Sequence, residues 1–251
     1  MSTVALVLAG GSGTRMRPGL ELAGAEVVGN KVHLPLAGRN LLERSLTIFA
    51  ASPLVDEVVL VIRAGDEAAA AAAVATAAPS SSLTTRITTG GTTRTASERA
   101  GLAVVADQIR AGTVTLVAIH DAARPFVSDR LLTDLLTTAR QVGGAVPTIE
   151  VGSRVLARGG ADPGLLPTAD LRRMQTPQVF QAGPLLTAYE RAGVDAEGRD
   201  TAEIVQTHEE LTVASVPGDP RNLKLTVAAD LEVARRLAAA WDAGADGART
   251  G

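Results

Sequence analysis

Val4-Ala5-Leu6-Val7-Leu8-Ala9-Gly10-Gly11-Ser12-Gly13-Thr14-Arg15-Met16 is the stretch whose reading decides the fold. Val4 to Leu8 are apolar without alternation, so they read as a strand buried on both faces, the kind found in parallel sheets covered by helices. The glycines that follow let backbone N–H groups come close to phosphate oxygens. Two familiar phosphate loops are excluded by the residues themselves. A G-x-G-x-x-G fingerprint would need glycine where Met16 stands, and G-x-x-x-x-G-K-[ST] occurs nowhere. What remains is G-G-x-G-x-R, ending at Arg15 and followed by Lys31, a set of groups suited to a triphosphate.

Outward from this strand, short β-branched runs alternate with helical patterns. Asn40 is a good N-cap for a helix in which Leu42, Leu46 and Phe49 recur at helical spacing. Val58–Ile62 is the second strand, and Asp66 can cap the alanine-rich helix behind it. Ile87 falls in a third strand, a helix is expected near Ser97–Ile109, Val114–Ile119 is another apolar strand, and Ser128 can cap a helix over Asp129–Arg140. This alternation predicts an α/β fold with a mostly parallel sheet and helices on both faces. From Ala145 to about Gln178 the rhythm breaks, and the stretch reads as an arm off the sheet, centred on about 148–175. The pattern resumes at Leu185–Tyr189 and Thr212–Val216 and closes with a helix across Asp230–Ala240. A single domain over 1–242 with a tail at 243–251 is the expected organisation.

Composition narrows the function. The 251 residues can bury a large core without staples, and with no cysteine there are no disulfides, thiolate metal sites or thiol nucleophiles. A net charge of −3 and an aromatic share of 2% leave neither a basic footprint nor a stacking surface for nucleic acid. The N-terminus has no basic leader before its apolar run, and the Ala68–Ala78 stretch is too short and too weakly apolar to span a bilayer. A cytoplasmic protein with no membrane partner is the expectation.

Four later segments carry groups with chemistry. Gly90-Gly91-Thr92-Thr93-Arg94-Thr95-Ala96-Ser97 can offer backbone and hydroxyl hydrogen bonds to a base edge, and Arg94 a guanidinium to a phosphate. In His120-Asp121-Ala122-Ala123-Arg124-Pro125, Asp121 closes a buried strand at the end where open α/β sheets bind ligands, and its carboxylate can hold Mg²⁺ bridged to phosphates. His120 reads as structural. Gln175-Thr176-Pro177-Gln178 and Asn222-Leu223-Lys224-Leu225-Thr226 complete the set, with Lys224 available as a point charge.

In this order, from about Val4 to Leu231, the segments resemble the 2-C-methyl-D-erythritol 4-phosphate cytidylyltransferases of the non-mevalonate isoprenoid pathway. His120–Pro125 and Gln175–Gln178 carry the resemblance most specifically; the Gly-rich opening is shared with nucleotidyltransferases generally. The resemblance implies a Rossmann-like sheet, a protruding β-arm and a homodimer. It implies CTP and a small phosphorylated alcohol as substrates and Mg²⁺ as cofactor. By the same resemblance Arg15, Lys31 and Lys224 are the catalytic cations, and Ala9, Gly10, Gly11, Gly13, Gly91, Thr92, Ser97 and Asp121 hold the nucleotide, with Asp121 also the metal ligand. Arg124, Thr176, Arg172 and Arg173 fall to the acceptor side. The phosphate of the acceptor would attack the α-phosphorus of CTP in line and expel pyrophosphate.

The chain departs from the family pattern at four places. Asn30 stands where a proline usually precedes the lysine, after a longer Arg17–Asn30 loop. Glu150-Val151-Gly152-Ser153 stands where the arm opens with Asp-Thr, Thr168 where an arginine meets the acceptor phosphate, and Arg199-Asp200-Thr201 where a Thr-Asp pair is usual. These leave open an acceptor such as ribitol 5-phosphate or a phosphonate, or a nucleotide-binding regulator without catalysis.

Overall fold

The computed structural model describes residues 2–11, 30–77, 83–151, 155–156, 165–166, 171–194, 196, 198 and 200–244. Gly13, Arg15, the Arg17–Gly29 stretch, Ser153, Thr168, Arg199 and the tail from residue 245 lie outside these. In chain order the elements are β1 (Ser2–Leu8), a 3-10 turn (Lys31–His33), β2 (Pro35–Leu36), β3 (Arg39–Asn40), α1 (Leu41–Ala51), β4 (Glu57–Ile62), α2 (Glu67–Ala77) and β5 (Thr84–Thr89). Then come α3 (Arg94–Arg110), β6 (Val114–Asp121), α4 (Asp129–Val142), β7 (Gly143–Glu150), β8 (Val155–Leu156), β9 (Leu165–Leu166) and β10 (Arg172–Met174). The chain continues through β11 (Gln178–Gln181), α5 (Ala182–Ala192), α6 (Thr201–His208), β12 (Thr212–Pro217) and α7 (Ala228–Asp242).

The main sheet is mixed but mostly parallel, as the sequence rhythm predicts. β5, β4, β1 and β6 lie side by side and parallel, β11 inserts antiparallel between β6 and β7, and β12 runs parallel to β7. Alternation along each strand divides the core. Ala5, Val7, Val58, Leu60, Leu116 and Ala118 face the side covered by α1, α2 and α4; Val4, Leu6, Val59, Val61, Val117 and Ile119 face α3, α5 and α6. Gly101 lets α3 sit close to the sheet: a Cβ there would lie 2.2 Å from Leu6 Cδ1. A third cluster, including Leu36, Leu41, Phe126, Leu225 and Leu231, packs α7 and the 222–226 segment beside the end of β6.

Local signals explain the helix starts. Asn40 and Glu43 form a capping box on α1, and Ser128 Oγ accepts from Leu131 N–H at 3.2 Å on α4. Asp66 precedes α2 as expected, yet its carboxylate accepts from Asn30 Nδ2 and Arg63 Nη2, each at 3.1 Å. Thr93, rather than Ser97, caps α3, so that helix begins three residues sooner and Ser97 is buried in its first turns.

The stretch expected to leave the sheet from Ala145 does not do so there. Gly143–Glu150 is a full sheet strand, and the chain rejoins it at Arg172. The pairing of 172–174 with β7 and that of 179–180 are two residues out of register. Gln175 N–H still donates to Pro147 O on β7 at 2.8 Å, and Thr176 and Pro177 absorb the difference as a bulge beside the end of β6. The sequence rhythm also missed α6, whose start was written in Asp200-x-x-Glu203: Asp200 Oδ1 accepts from Glu203 N–H at 3.0 Å.

Candidate active site

Ligands of open α/β sheets bind outside the carboxyl ends of the strands, where neighbouring connections diverge. Here β1 ends between β4 and β6, and a cleft of about 690 Å³ opens over those ends. Gly10 and Gly11 leave β1 at its floor, Arg63 follows β4, Asp121 ends β6, and Gly90–Arg94 lead from β5 into α3. Lys31 and Lys224 enter from the two loops on the far side. Fragments far apart in sequence therefore converge because each sits at the end of a parallel strand or on a loop packed against one.

Asp121 is the centre of charge. Its Oδ2 accepts from Lys224 Nζ at 2.7 Å, and Arg94 Nε lies 3.6 Å from Oδ1. Burial disfavours its charged form, but Lys224 and Arg94 outweigh that and hold the carboxyl well below the usual range. Asp121 is thus an anion at neutral pH. Arg94 in turn pairs with buried Glu98, which also receives Tyr189 Oη and, at 2.7 Å, Thr201 Oγ1. Burial pushes the Glu98 carboxyl up, while Arg94, Tyr189 and Thr201 act the other way. Arg94 is therefore held between two carboxylates.

Around this centre the loops are pinned from beneath. Lys31 Nζ donates to Leu225 O at 2.7 Å, and Leu225 N–H to Ala123 O at 2.9 Å, so the two lysine loops brace each other. A Cβ on Gly91 would lie 2.4 Å from Ala96 Cβ, which makes glycine a steric requirement of the loop's approach to α3. Ser97 Oγ donates to Thr93 O at 2.9 Å, and Thr92 lines the cleft beside it. Together with the first turn of α3, this wall offers the backbone N–H groups of a helix N-terminus to an anion.

A second network runs behind Asp121. Its N–H donates to Thr176 Oγ1 at 3.0 Å. His120 is fully buried, and burial lowers its pKa to about 4, so the ring is neutral. Arg124 O, 3.0 Å from Nε2, can only accept, which puts the ring proton on Nε2 and leaves Nδ1 to accept from Thr176 Oγ1 at 3.2 Å. Asn222 completes the frame: its Nδ2 donates to Thr176 O at 2.9 Å, and its carbonyl accepts from Arg124 Nη1 at 2.8 Å and Gln175 Nε2 at 3.1 Å. His120 is structural, as the sequence reading holds.

Several expected site residues take other places. Ala9 has both backbone groups engaged, because its N–H donates to Val61 O and its carbonyl accepts from Asn30 Nδ2. Thr176 is buried behind Asp121 rather than on the cleft wall, its hydroxyl donating to His120 Nδ1 and accepting from Asp121 N–H. Arg124 braces the Asn222 loop, and its Nε is buried with no hydrogen-bond partner. Arg172 and Arg173 are exposed on β10 and line a separate groove of about 700 Å³ between the ends of β7, β10 and β12; Arg172 pairs with Glu150 at 2.9 Å. Gly13 and Arg15 lie outside the described residues. Sequence reasoning missed Arg63, whose signal was its place right after the second strand, and Glu98, whose helical spacing from Arg94 was legible.

An Mg²⁺ ion usually draws on one or two carboxylates and takes its other ligands from phosphates and water. One ionised carboxylate at the cleft fits that demand; among the described residues no group of three or more His, Cys, Asp or Glu could form an all-protein cage.

Comparison with known proteins agrees with this architecture. The family model described as IspD: 2-C-methyl-D-erythritol 4-phosphate cytidylyltransferase matches residues 3–239. The protein of that name from Thermobifida fusca is 37% identical over 242 residues, covering 93% of this chain and 92% of that protein. The bifunctional enzyme IspD/IspF of Nitrobacter winogradskyi is 36% identical over 251 residues, and the match spans 96% of this chain but only 57% of that longer protein. Among solved structures, the 2-C-methyl-D-erythritol 4-phosphate cytidylyltransferase of Thermus thermophilus superposes with a TM-score of 0.69 at 32% identity, covering 95% of this chain and all of that one (100%). The chain belongs to the 2-C-methyl-D-erythritol 4-phosphate cytidylyltransferase family.

Proposed function

We propose that this chain transfers CMP from CTP to 2-C-methyl-D-erythritol 4-phosphate, giving the CDP-linked alcohol and pyrophosphate. The observation that carries the reading is the convergence of Lys31, Lys224, Arg94, ionised Asp121 and the α3 N-terminus on one cleft. A triphosphate is the ligand for which three cations, glycine amides and one carboxylate make sense together. Family membership adds the cytidylyl group and the acceptor.

The chemistry asks little of acids and bases. The acceptor phosphate is already ionised at neutral pH, so it can attack the α-phosphorus without a general base, and its new P–O bond forms as the bond to pyrophosphate breaks. Catalysis is then positioning and neutralisation of charge. Lys31 and Lys224 supply positive charge, the Gly90–Thr93 wall holds the nucleoside side, and neutral His120 takes no part beyond supporting Thr176. Asp121 would hold Mg²⁺, which on binding neutralises the phosphates. Lys224, now on the Asp121 carboxylate, would then be released towards phosphate oxygens.

Arg173 is the better candidate than Arg172 for an acceptor phosphate: no carboxylate pairs with it among the described residues, and its charge adds to burial in lowering the pKa of Arg124. A like charge that each guanidinium senses favours an anion beside them. Dimerisation and a cytosolic location belong to the same proposal; no helix among the described residues is long and apolar enough to cross a membrane.

Pyrophosphate release from CTP and Mg²⁺ tests the reading, run with methylerythritol phosphate, ribitol 5-phosphate and no acceptor. Release with methylerythritol phosphate alone is expected. Release only with another polyol phosphate would keep the chemistry and change the acceptor, while CTP binding without release under any condition would point to a regulator.

A further inference from the structure

Asn30 lies just before Lys31 and is 2% exposed, and its amide is used on both sides. The two Nδ2 hydrogens go to Ala9 O at the end of β1 and to Asp66 Oδ2 at 3.1 Å, while Oδ1 accepts from Val32 N–H at 3.3 Å. Its own carbonyl accepts from His33 N–H at 3.0 Å, so Asn30 both caps the Lys31–His33 turn and ties it down. The bond to Ala9 ties the Lys31–His33 turn to the end of β1. Through Asp66 the contact continues to Arg63, another cation of the cleft, at 3.1 Å.

Only a primary amide can give two hydrogens and accept one at this point. Aspartate, the same shape, would set a carboxylate against a carbonyl oxygen and a second carboxylate. Alanine would leave the Ala9 carbonyl and the Val32 N–H without these partners in a buried place.

We infer that Asn30 is a positioning residue for the nucleotide phosphates: by clasping Ala9, Val32 and Asp66 it fixes the direction in which Lys31 enters the cleft. The inference rests on the reading of the cleft as a CTP site. Asn30→Ala, Asn30→Asp and Lys31→Ala are compared for CTP affinity by calorimetry with Mg²⁺ present, for acceptor KM, and for the unfolding midpoint without ligand. Loss of these bonds is expected to weaken CTP about tenfold in Asn30→Ala and about a hundredfold in Asn30→Asp, with acceptor KM within about twofold of wild type. If Asn30 acts through Lys31, Asn30→Ala adds less than about twofold in a Lys31→Ala background, since coupled sites are not additive. A folded Asn30→Ala protein with wild-type CTP affinity overturns the inference. So do effects that multiply fully in the double variant, or equal losses for CTP and acceptor alongside a lowered midpoint. A wild-type protein that does not bind CTP overturns the functional reading and this inference with it.

Discussion

The two sides of the site are built differently. On the nucleotide side the chain itself pairs the charges and closes the frame: Lys224 rests on Asp121, Arg94 on Glu98, Lys31 on a backbone carbonyl, and glycines are packed against α3. On the proposed acceptor side, among the described residues, Arg124, Arg172 and Arg173 have one close ion pair between them, that of Arg172 with Glu150. Arg124 keeps a buried Nε without a partner, no carboxylate pairs with Arg173 among the described residues, and Arg172 turns to Glu150 at the surface. A preformed frame binds by exchanging partners, whereas a crowded cationic surface gains its missing partner only when an anion arrives. The same triphosphate chemistry can thus be kept while the acceptor side changes.

The largest effect is expected at Lys31, where Lys31→Ala should cut pyrophosphate release about a thousandfold, in line with loss of a charge-stabilising donor. Its unfolding midpoint should stay near wild type, because Lys31 is only partly buried. Near-wild-type turnover in the folded variant would remove the nucleotide side from the comparison.

His120 joins the two sides, and its effect is on stability. Its folded pKa is about 4 against 6.5 unfolded, so between these values the unfolded chain binds a proton that the folded chain refuses. Stability is therefore full above about pH 6.5 and falls by about 3 kcal/mol as the pH drops to 4. Asp121 adds its own loss only below its ordinary range, and the raised Glu98 works in the opposite sense. Urea unfolding of wild type and His120→Gln across that range isolates the histidine: their stability difference should narrow towards acid, and parallel curves would contradict the neutral buried ring.

Asp121→Asn should lower turnover about a hundredfold through loss of the anion that meets Lys224 and Arg94 and that, in the proposed function, would hold Mg²⁺. Titrating Mg²⁺ against rate should show a raised requirement for the ion; an unchanged requirement would take Asp121 out of the metal's reach. Smallest is Arg173→Ala, for which acceptor KM should rise about tenfold with CTP KM unchanged, as expected of one exposed phosphate contact. Arg172→Ala should stay within about twofold. Equal effects from both would erase the distinction between the two arginines.

The same contrast explains what could be read from residues alone. Val4–Leu8, Val58–Ile62 and Val114–Ile119 announce buried parallel strands, and parallel strands put Gly10, Arg63 and Asp121 at one edge by topology. Asn40 and Ser128 mark their helices because capping is a local hydrogen bond. Thr176 was found as a site residue, but its place behind Asp121 depends on a register slip between β10 and β11 that no local pattern encodes. Arg172 and Arg173 are neighbours in sequence and line one groove, yet only Arg172 is engaged by Glu150, a pairing set by the β7–β10 register. Glu98 reads as an ordinary helix residue and Thr201 as part of a departure from the family pattern, and only the fold brings them together beneath Arg94.

A crystal structure with CTP and Mg²⁺ tests the central claim most directly. The expected result is the triphosphate over the ends of β1 and β6, with Lys31 and Lys224 on phosphate oxygens, Asp121 on the metal and the cytidine against the Gly90–Thr93 wall. A nucleotide bound in the groove beside Arg172 and Arg173, with Lys224 still closed on Asp121, would contradict it.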